Sequence, residues 1–200
     1  MHGSVGAALE GRFTLHRLWE MTEPDAFLRV HGPTIRALAI STLAGPVGTE
    51  LFDRLPALEI VANFGVGYDN VDVDAARARG IVVSNTPGVL DEEVADLAVG
   101  LLLATIRQLP LAERFLRAGL WREGGFPLSP TLRGRRVGLL GLGGIGKAIA
   151  RRLEGFGVDL AYHGRTRQIA VAYPWYPSAV ALAEACDTLI AYRIRWSKSS

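Results

Sequence analysis

Cysteine is nearly absent from the sequence, with Cys186 the single example in 200 residues. A lone cysteine excludes an intrachain disulfide framework and is typical of a reducing compartment. The N-terminus also lacks the charged-then-apolar pattern of a secretion signal. The longest apolar run, residues 97–106, is too short to span a bilayer. We therefore expect a cytoplasmic protein without a membrane partner.

A strong net charge is missing as well, since the formal value is only +2. The charge is unevenly spread. Residues 1–100 hold 7 Lys and Arg against 14 Asp and Glu, whereas residues 101–200 hold 15 against 6. The basic second half fits an anionic cofactor. Nucleic acid is the competing interpretation, but no basic helix with interleaved aromatic residues occurs, so we expect no nucleic-acid partner. We also expect no bound metal.

Glycine is plentiful, and its most informative cluster lies in residues 137–167, VGLLGLGGIGKAIARRLEGFGVDLAYHGRTR. A short apolar run precedes Gly141-x-Gly143-x-x-Gly146, and a helical pattern and a second apolar run follow, which is typical of a dinucleotide-binding β-α-β unit. We predict that Gly141 makes the tight turn, that Gly143 lets the backbone approach a diphosphate, and that Gly146 brings the helix close to the sheet. The diphosphate would lie on the N–H groups where the helix starts, near Ile145. An ordinary strand-to-helix turn, or another nucleotide ligand such as S-adenosylmethionine, is the alternative.

The end of the second apolar run indicates which dinucleotide binds. Enzymes that use NAD usually place Asp or Glu about 20 residues after the first glycine, where it binds the ribose 2′-hydroxyl. Here that place holds His163, and the next residues are Gly164, Arg165, Thr166 and Arg167. Two guanidinium groups and a hydroxyl suit a 2′-phosphate, although a solvated basic loop is the alternative. The sequence therefore predicts NADP(H) in preference to NAD(H).

Strand and helix signals alternate along the first half, which predicts a parallel sheet covered by helices. The predicted strands are residues 13–18, 37–41, 59–63 and 81–84, and the predicted helices lie around residues 24–30, 47–54 and 73–79. A longer helix is predicted over residues 91–109, apolar nearly all round and therefore buried between layers. Residues 110–134, rich in Gly and Pro, are predicted to form an arm or a long connection. Within it, Trp121 and Phe126 either pack on their own subunit or contact a partner subunit.

Three segments, in this order and spacing, resemble the D-isomer-specific 2-hydroxyacid dehydrogenases, especially the glyoxylate/hydroxypyruvate reductase and hydroxyphenylpyruvate reductase branch. They are residues 63–110, residues 119–126 (GLWREGGF) and residues 132–167. The resemblance covers about residues 10 to 190. It implies an α/β fold, with a flavodoxin-like substrate domain over residues 1–90, a linking helix and dimerisation arm over residues 91–134, and the first half of a Rossmann dinucleotide-binding domain over residues 135–200.

The resemblance also implies which residues bind ligands. For the cofactor they are Gly141, Leu142, Gly143, Gly144, Ile145, Gly146, Gly164, Arg165 and Thr166. For the substrate they are Val66 and Gly67, whose backbone N–H groups would hold the carboxylate of a 2-oxo acid. Gly65 and Gly67 independently favour a turn whose amides point at one anion, although a plain strand-to-helix turn is the alternative. The implied activity is hydride transfer between NADP(H) and a 2-oxo or 2-hydroxy acid, in a homodimer.

The remaining catalytic residues of the family have no match in this sequence. The family uses an Arg to bind the substrate, a His to donate the proton and a carboxylate to tune that His, all beyond the position corresponding to residue 200. We therefore assign no catalytic residue. The basic residues from Ala191 onward depart from the family pattern, and MHGSVGAALEG resembles the end of the family's first helix. We expect a truncated or frame-shifted, inactive form, with a non-catalytic NADP(H)-binding protein as the alternative.

Overall fold

The computed structural model describes residues 3–192. The tail that is expected to depart from the family pattern begins at Ala191. Its residues after Tyr192 lie outside the described residues. The chain divides into two compact units, the first ending at Val89 and the second beginning at Leu90. Each unit contains its own parallel sheet and its own core of buried apolar side chains. The two parallel sheets with their connecting helices confirm the predicted α/β fold.

The first unit is built on a three-stranded parallel sheet in the order β1-β2-β3. The strands are β1 (Ala37–Ser41), β2 (Ile60–Phe64) and β3 (Val82–Ser84). The helices are α1 (Gly3–Glu10), α2 (Pro24–His31), α3 (Thr49–Asp53) and α4 (Val73–Ala78). Because α3 and α4 connect parallel strands, the loops that follow β1, β2 and β3 all leave from the same edge of the sheet.

The predicted strand at residues 13–18 is wrong. The segment forms no strand and runs into a short 3-10 helix, Leu18–Glu20. Its alternating apolar residues suggested a strand, but Phe13 is 62% exposed. The His16 ring instead packs against Phe27 of α2, with the ring centres 4.9 Å apart. The segment is therefore held by side-chain contacts to a helix rather than by pairing with a strand.

The second unit contains a four-stranded parallel sheet in the order β6-β5-β4-β7. Its strands are β4 (Arg136–Leu140), β5 (Asp159–His163), β6 (Trp175–Tyr176) and β7 (Thr188–Ile190). Its helices are α5 (Asp91–Ile106), α6 (Leu109–Arg117), α7 (Gly144–Leu153) and α8 (Ala179–Ala185). The central strands β4 and β5 are buried along most of their length, as expected for a parallel sheet covered by helices.

Gly138, in the middle of β4, marks a tight contact between the sheet and α8. A Cβ atom at this position would lie 2.7 Å from Leu189, 2.9 Å from Leu182 and 3.0 Å from the Cys186 Sγ atom. Real Cβ atoms do not approach neighbours this closely, so the strand needs glycine here. Cys186 is thereby part of the packing between α8 and the sheet.

The long helix predicted over residues 91–109 is shorter than expected. It ends at Ile106, and α6 starts at Leu109 at an angle of 59°. Pro110 explains the break, since within a continuous helix it would lose a hydrogen bond and clash with the carbonyl of Ile106. Gln108 makes the corner with a φ of 55°. Residues 110–117, predicted as part of an irregular arm, are therefore helical.

The prediction that α5 is buried all round is also wrong. One face is buried, through Ala95, Val99, Leu102 and Ile106, but Leu97 is 63% exposed and Leu101 is 59% exposed. Within residues 3–192, no single helix is long and apolar enough to cross a membrane. Only α5 and α6 taken together reach that length and composition, and they are bent at the break between them.

The buried face of α5 packs against α7, and ion pairs extend the contact. Arg152 of α7 lies 2.7 Å from a Glu92 carboxylate oxygen and 2.6 Å from an Asp96 oxygen, and Arg151 lies 2.7 Å from Glu92. Hydrogen bonds from Arg151 and then Arg152 lower the pKa of the Glu92 carboxyl. The position of α7, and therefore of its first turn, is fixed on one side by the sheet and on the other by α5.

Candidate functional site

The glycine turn, residues 141–146, connects the end of β4 to the start of α7. Gly141 has a φ of 108°, a backbone conformation that favours glycine. Its N–H donates a hydrogen bond to the His163 carbonyl oxygen at 2.8 Å, which ties the turn to the end of β5. The turn therefore lies at the carboxyl edge of the sheet, where ligands bind in open α/β folds.

Two glycines of this turn have opposite surroundings. A Cβ atom on Gly146 would lie 2.6 Å from the Gly141 carbonyl oxygen, so the first turn of α7 reaches the strand end only because residue 146 has no side chain. A Cβ atom on Gly143 would meet nothing within 4 Å. Gly143 precedes the first helical residue and provides no side-chain cap for the first N–H groups of α7. An external oxygen acceptor fits this arrangement, since the first N–H groups of a helix lack internal partners.

Leu142 and Ile145 have their side chains directed toward the core. Leu142 is 3% exposed, and Ile145 packs against the buried cluster of the second unit. The Leu142 carbonyl accepts a hydrogen bond from the Gln168 side chain at 2.7 Å, and the Gln168 N–H donates to the Tyr162 hydroxyl at 2.7 Å. Any ligand contact of Leu142 and Ile145 therefore involves their backbone. Gln168 could not be predicted from the sequence, because no spacing rule links it to the glycine turn.

The segment after β5 is open and basic. The Gly164 carbonyl accepts a hydrogen bond from the Trp175 indole at 3.2 Å, which fixes the start of the loop. Arg165, Thr166 and Arg167 are exposed. Within residues 3–192, no carboxylate lies within ion-pair distance of either Arg. Both guanidinium groups are therefore available to an anion from solution.

A second glycine-containing loop, residues 65–68, follows β2 in the first unit and is called the amide loop below. Gly65 has a φ of 151°, and a Cβ atom on it would overlap the Thr42 methyl group. Its N–H donates to the Thr86 hydroxyl at 3.1 Å. A Cβ atom on Gly67, by contrast, would meet nothing within 4 Å.

Two asparagine side chains orient the amide loop. The Asn63 amide group donates to the Gly67 carbonyl at 2.7 Å, and the Asn85 amide group donates to the Val66 carbonyl at 2.9 Å. The bound Val66 carbonyl fixes the peptide that carries the Gly67 N–H. The Gly65 carbonyl accepts from the Thr86 N–H at 3.0 Å, which fixes the peptide that carries the Val66 N–H. These two N–H groups have no acceptor among the described residues. The loop therefore presents two adjacent backbone donors, which suits a carboxylate.

Asn63 also carries an unsatisfied acceptor. The residue is 3% exposed, and its Oδ1 atom is buried without a hydrogen-bond partner within the described part of the chain. A buried polar atom of this kind lowers the stability of the fold. The hydrogen bond from the Asn63 amide group to the Gly67 carbonyl offsets part of that cost. The sequence contained no signal for this role, since an Asn at the end of a buried strand is otherwise unremarkable.

Comparison with known proteins identifies the family. The family model for the D-isomer specific 2-hydroxyacid dehydrogenase catalytic domain matches residues 10–194. The chain belongs to this family. The predicted resemblance is thereby confirmed, and the chain has relatives among both curated and solved proteins.

Two plant proteins are among the similar curated relatives. A glyoxylate/hydroxypyruvate reductase A from Arabidopsis thaliana is 44% identical over 182 residues, which is 91% of this chain and 58% of the relative. A hydroxyphenylpyruvate reductase from Plectranthus scutellarioides is 41% identical over the same shares. The chain thus spans less than two thirds of the length of the curated relatives it matches.

Two bacterial structures are also similar. An NADPH-dependent glyoxylate/hydroxypyruvate reductase from Sinorhizobium meliloti, solved with NADP and malonate, is 56% identical, with a TM-score of 0.74 over 86% of this chain and 52% of that chain. A 2-hydroxyacid dehydrogenase from Ketogulonicigenium vulgare is 41% identical, with a TM-score of 0.84 over 94% of this chain and 60% of that chain.

Proposed function

We propose that this chain binds NADP(H) at its glycine turn and is part of an oxidoreductase that transfers hydride between NADP(H) and a 2-oxo acid of the glyoxylate or hydroxypyruvate type. The single observation that supports this most strongly is the geometry of the turn. Gly141 has positive φ, Gly146 is closely packed and Gly143 is open, in front of a ten-residue helix. The names of the similar reductases support the substrate class.

The cofactor's diphosphate would lie on the N–H groups at the start of α7, from Gly143, Gly144 and Ile145, with Gly141, Leu142 and Gly146 shaping the turn. Arg165 and Thr166, preceded by Gly164, would bind the ribose 2′-phosphate. A guanidinium group grips a phosphate with paired, charge-assisted hydrogen bonds. The cofactor supplies the hydride, and the residues named here bind and orient it.

The substrate carboxylate would lie on the N–H groups of Val66 and Gly67 in the amide loop. Since the asparagine side chains already fix this loop, little ordering is needed when the carboxylate binds. No residue is assigned as proton donor. The predicted cytoplasmic location remains a prediction.

Cofactor preference gives the first test. Arg165→Ala should weaken NADPH binding by about 1.5–3 kcal/mol, the scale of a charge-assisted hydrogen bond, and should leave NADH binding nearly unchanged. Calorimetric titration of the full chain with each cofactor measures both effects. NADPH should also bind the unmodified chain more tightly than NADH does.

Arg133→Ala is the matched control. Arg133 is also exposed and lies in the second unit, but on the loop that precedes β4, at the opposite edge of the sheet from the glycine turn. The control removes the same charge and should leave both affinities unchanged. Equal losses for NADPH and NADH in Arg165→Ala would contradict the assignment of the 2′-phosphate to Arg165.

We also propose a homodimer, built on an apolar surface of α5, α6 and the following turn. Its exposed residues are Leu97, Leu101, Leu109, Leu111, Leu116, Leu120 and Trp121. Phe126 packs within its own subunit, since its ring lies edge-on against Phe115 of the same chain, with the ring centres 5.4 Å apart. Trp121 is 56% exposed, which favours a contact with a partner subunit. Exposed apolar side chains grouped on neighbouring elements favour self-association.

Sedimentation velocity tests the dimer. Leu101→Glu should shift the chain toward monomer at micromolar concentration, because a charge would lie inside the apolar contact. Val30→Glu is the control, since Val30 is 71% exposed on α2 of the first unit, which contributes no residue to the proposed surface. A folded monomer in the unmodified chain, or equal effects of the two variants, would contradict the proposed surface.

A further inference from the structure

Tyr192 reaches the glycine turn from the segment that follows β7. A Cβ atom on Gly146 would lie 2.5 Å from the Tyr192 hydroxyl oxygen, and one on Gly141 would lie 2.7 Å from it. The ring is partly buried and packs against the core of the second unit. The hydroxyl thus occupies the space that opens because Gly141 and Gly146 lack side chains.

The Tyr192 hydroxyl oxygen is placed to accept hydrogen bonds from the glycine turn. The backbone N–H groups of Gly143 and Gly146 face its oxygen, and the Asp91 carboxylate lies nearby. Burial raises the pKa of Tyr192 above its usual value, and Asp91 raises it further, although the two backbone N–H groups lower it. The hydroxyl is therefore protonated at neutral pH and acts as a neutral oxygen partner.

Asp91 reaches the same turn from the first residue of α5. A Cβ atom on Gly144 would overlap the Asp91 carboxylate and lie 3.0 Å from its Cγ atom. The first N–H groups of a helix attract oxygen acceptors and negative charge. Gly143 supplies no side-chain cap, and in this structure the chain's own Tyr192 and Asp91 oxygens lie there instead.

A cofactor diphosphate would need the same N–H groups and the same space. We propose that Tyr192 is an internal competitor of the dinucleotide, so that the cofactor binds only when this side chain has moved away from the glycine turn. This inference rests on the proposed NADP(H) binding. The position of Tyr192 thereby sets the fraction of chains that can bind the dinucleotide. The apparent dissociation constant for NADP(H) rises as that fraction decreases.

The surrounding structure allows Tyr192 to leave without opening the core. Tyr192 lies two residues beyond β7, whose three residues pair with β4 at one side of the sheet. Among the described strands, β7 has no neighbour on its other side. Short edge segments open locally at a lower free-energy cost than central strands do. Displacement of the tyrosine is therefore a local movement.

Calorimetric titration of the full chain with NADPH tests the competition. Tyr192→Ala, which removes ring and hydroxyl, should bind NADPH about tenfold more tightly if roughly nine chains in ten hold the tyrosine at the turn. Tyr192→Phe, which removes only the hydroxyl, should give a smaller gain in the same direction. Tyr173→Phe is the matched control, because Tyr173 packs against the same core but its hydroxyl bonds to Glu154.

A second readout needs no cofactor. In amide NMR spectra of the full chain, Tyr192→Phe should shift the resonances of Gly143 and Gly146, whereas Tyr173→Phe should leave them in place. These spectra also show that each variant is folded. Unchanged resonances in Tyr192→Phe would overturn the contact on which the proposal rests.

The binding outcomes separate this proposal from the proposed function. If the unmodified chain and folded Tyr192→Ala bind NADPH equally well, Tyr192 does not compete with the cofactor. The proposed NADP(H) binding would then still hold. Weaker binding by Tyr192→Ala would make the tyrosine part of the cofactor site and would also overturn the competition. If neither the unmodified chain nor any variant binds NADPH, both the proposed NADP(H) binding and the proposed role of Tyr192 are wrong.

Discussion

The amide loop of the first unit and the glycine turn of the second unit use glycine in the same two ways. In each loop one glycine is packed so closely that a side chain would collide, Gly65 in the first and Gly146 in the second. In each, another glycine, Gly67 or Gly143, faces open space. The packed glycine shapes the loop, and the open glycine adds no side chain beside the backbone N–H groups.

The two loops differ in what holds them. Side-chain amides of Asn63 and Asn85 fix the amide loop by binding its carbonyl groups. The glycine turn is fixed mainly by backbone contacts, through the Gly141 N–H bond to His163 and the start of α7. The amide loop therefore depends on individual side chains, whereas the glycine turn depends on the absence of side chains.

The largest expected effects come from the packed glycines. Gly146→Ala should destabilise the chain by about 1–3 kcal/mol, the usual cost of overpacking, because the new Cβ would meet the Gly141 carbonyl oxygen, which is backbone and cannot move aside. Gly65→Ala should also destabilise, through its positive φ and the Thr42 methyl group. Urea denaturation followed by circular dichroism measures both.

The open glycines are the controls for that experiment. Gly143→Ala and Gly67→Ala should each change stability by less than about 0.5 kcal/mol, as substitutions away from close contacts usually do. Gly143 already has an extended backbone that any residue adopts, with a φ of −78° and a ψ of −160°. If all four substitutions cost the same, the division into packed and open glycines is wrong.

A smaller effect should follow from removing one side chain that holds the amide loop. Asn85→Ala should destabilise the first unit by about 0.5–1.5 kcal/mol, the net value of a typical hydrogen bond, and should shift the amide NMR resonance of Gly67, whose N–H belongs to the same peptide group as the Val66 carbonyl. Asn70→Ala is the control, because its amide bonds are longer, at 3.3 and 3.4 Å, and end on carbonyl groups outside the loop. A Gly67 amide resonance that is unaffected by Asn85→Ala would show that this side chain does not hold the loop.

Local sequence patterns predicted most of the sheets. The strand predicted over residues 37–41 matches β1, and the spacing around Gly141 placed β4, α7 and β5 in order. These elements could be predicted because apolar periodicity and glycine spacing act over a few neighbouring residues. The predicted strand at residues 13–18 was wrong because nothing in a short alternating run tells whether a partner strand lies beside it.

The contacts that complete the two loops could not be predicted in this way. Asn85, Gln168 and Tyr192 contact their loops from 19, 26 and about 50 positions further along the chain, respectively. Each of the three is polar and close to the end of a strand, and many residues in this chain fit that description. Only the tertiary fold selects which of them reaches a glycine-containing loop.

The tight contact at Gly138 has a consequence for the reactivity of the Cys186 thiol. Burial raises the pKa of the Cys186 thiol, so the sulfur is protonated and weakly nucleophilic at neutral pH. On the side that faces β4 the sulfur has little room, since a Cβ atom on Gly138 would lie 3.0 Å from it. Because Cys186 is only partly buried, its thiol should react with alkylating reagents slowly rather than not at all. Release of α8 from the sheet should therefore raise the rate at which a thiol dye labels Cys186.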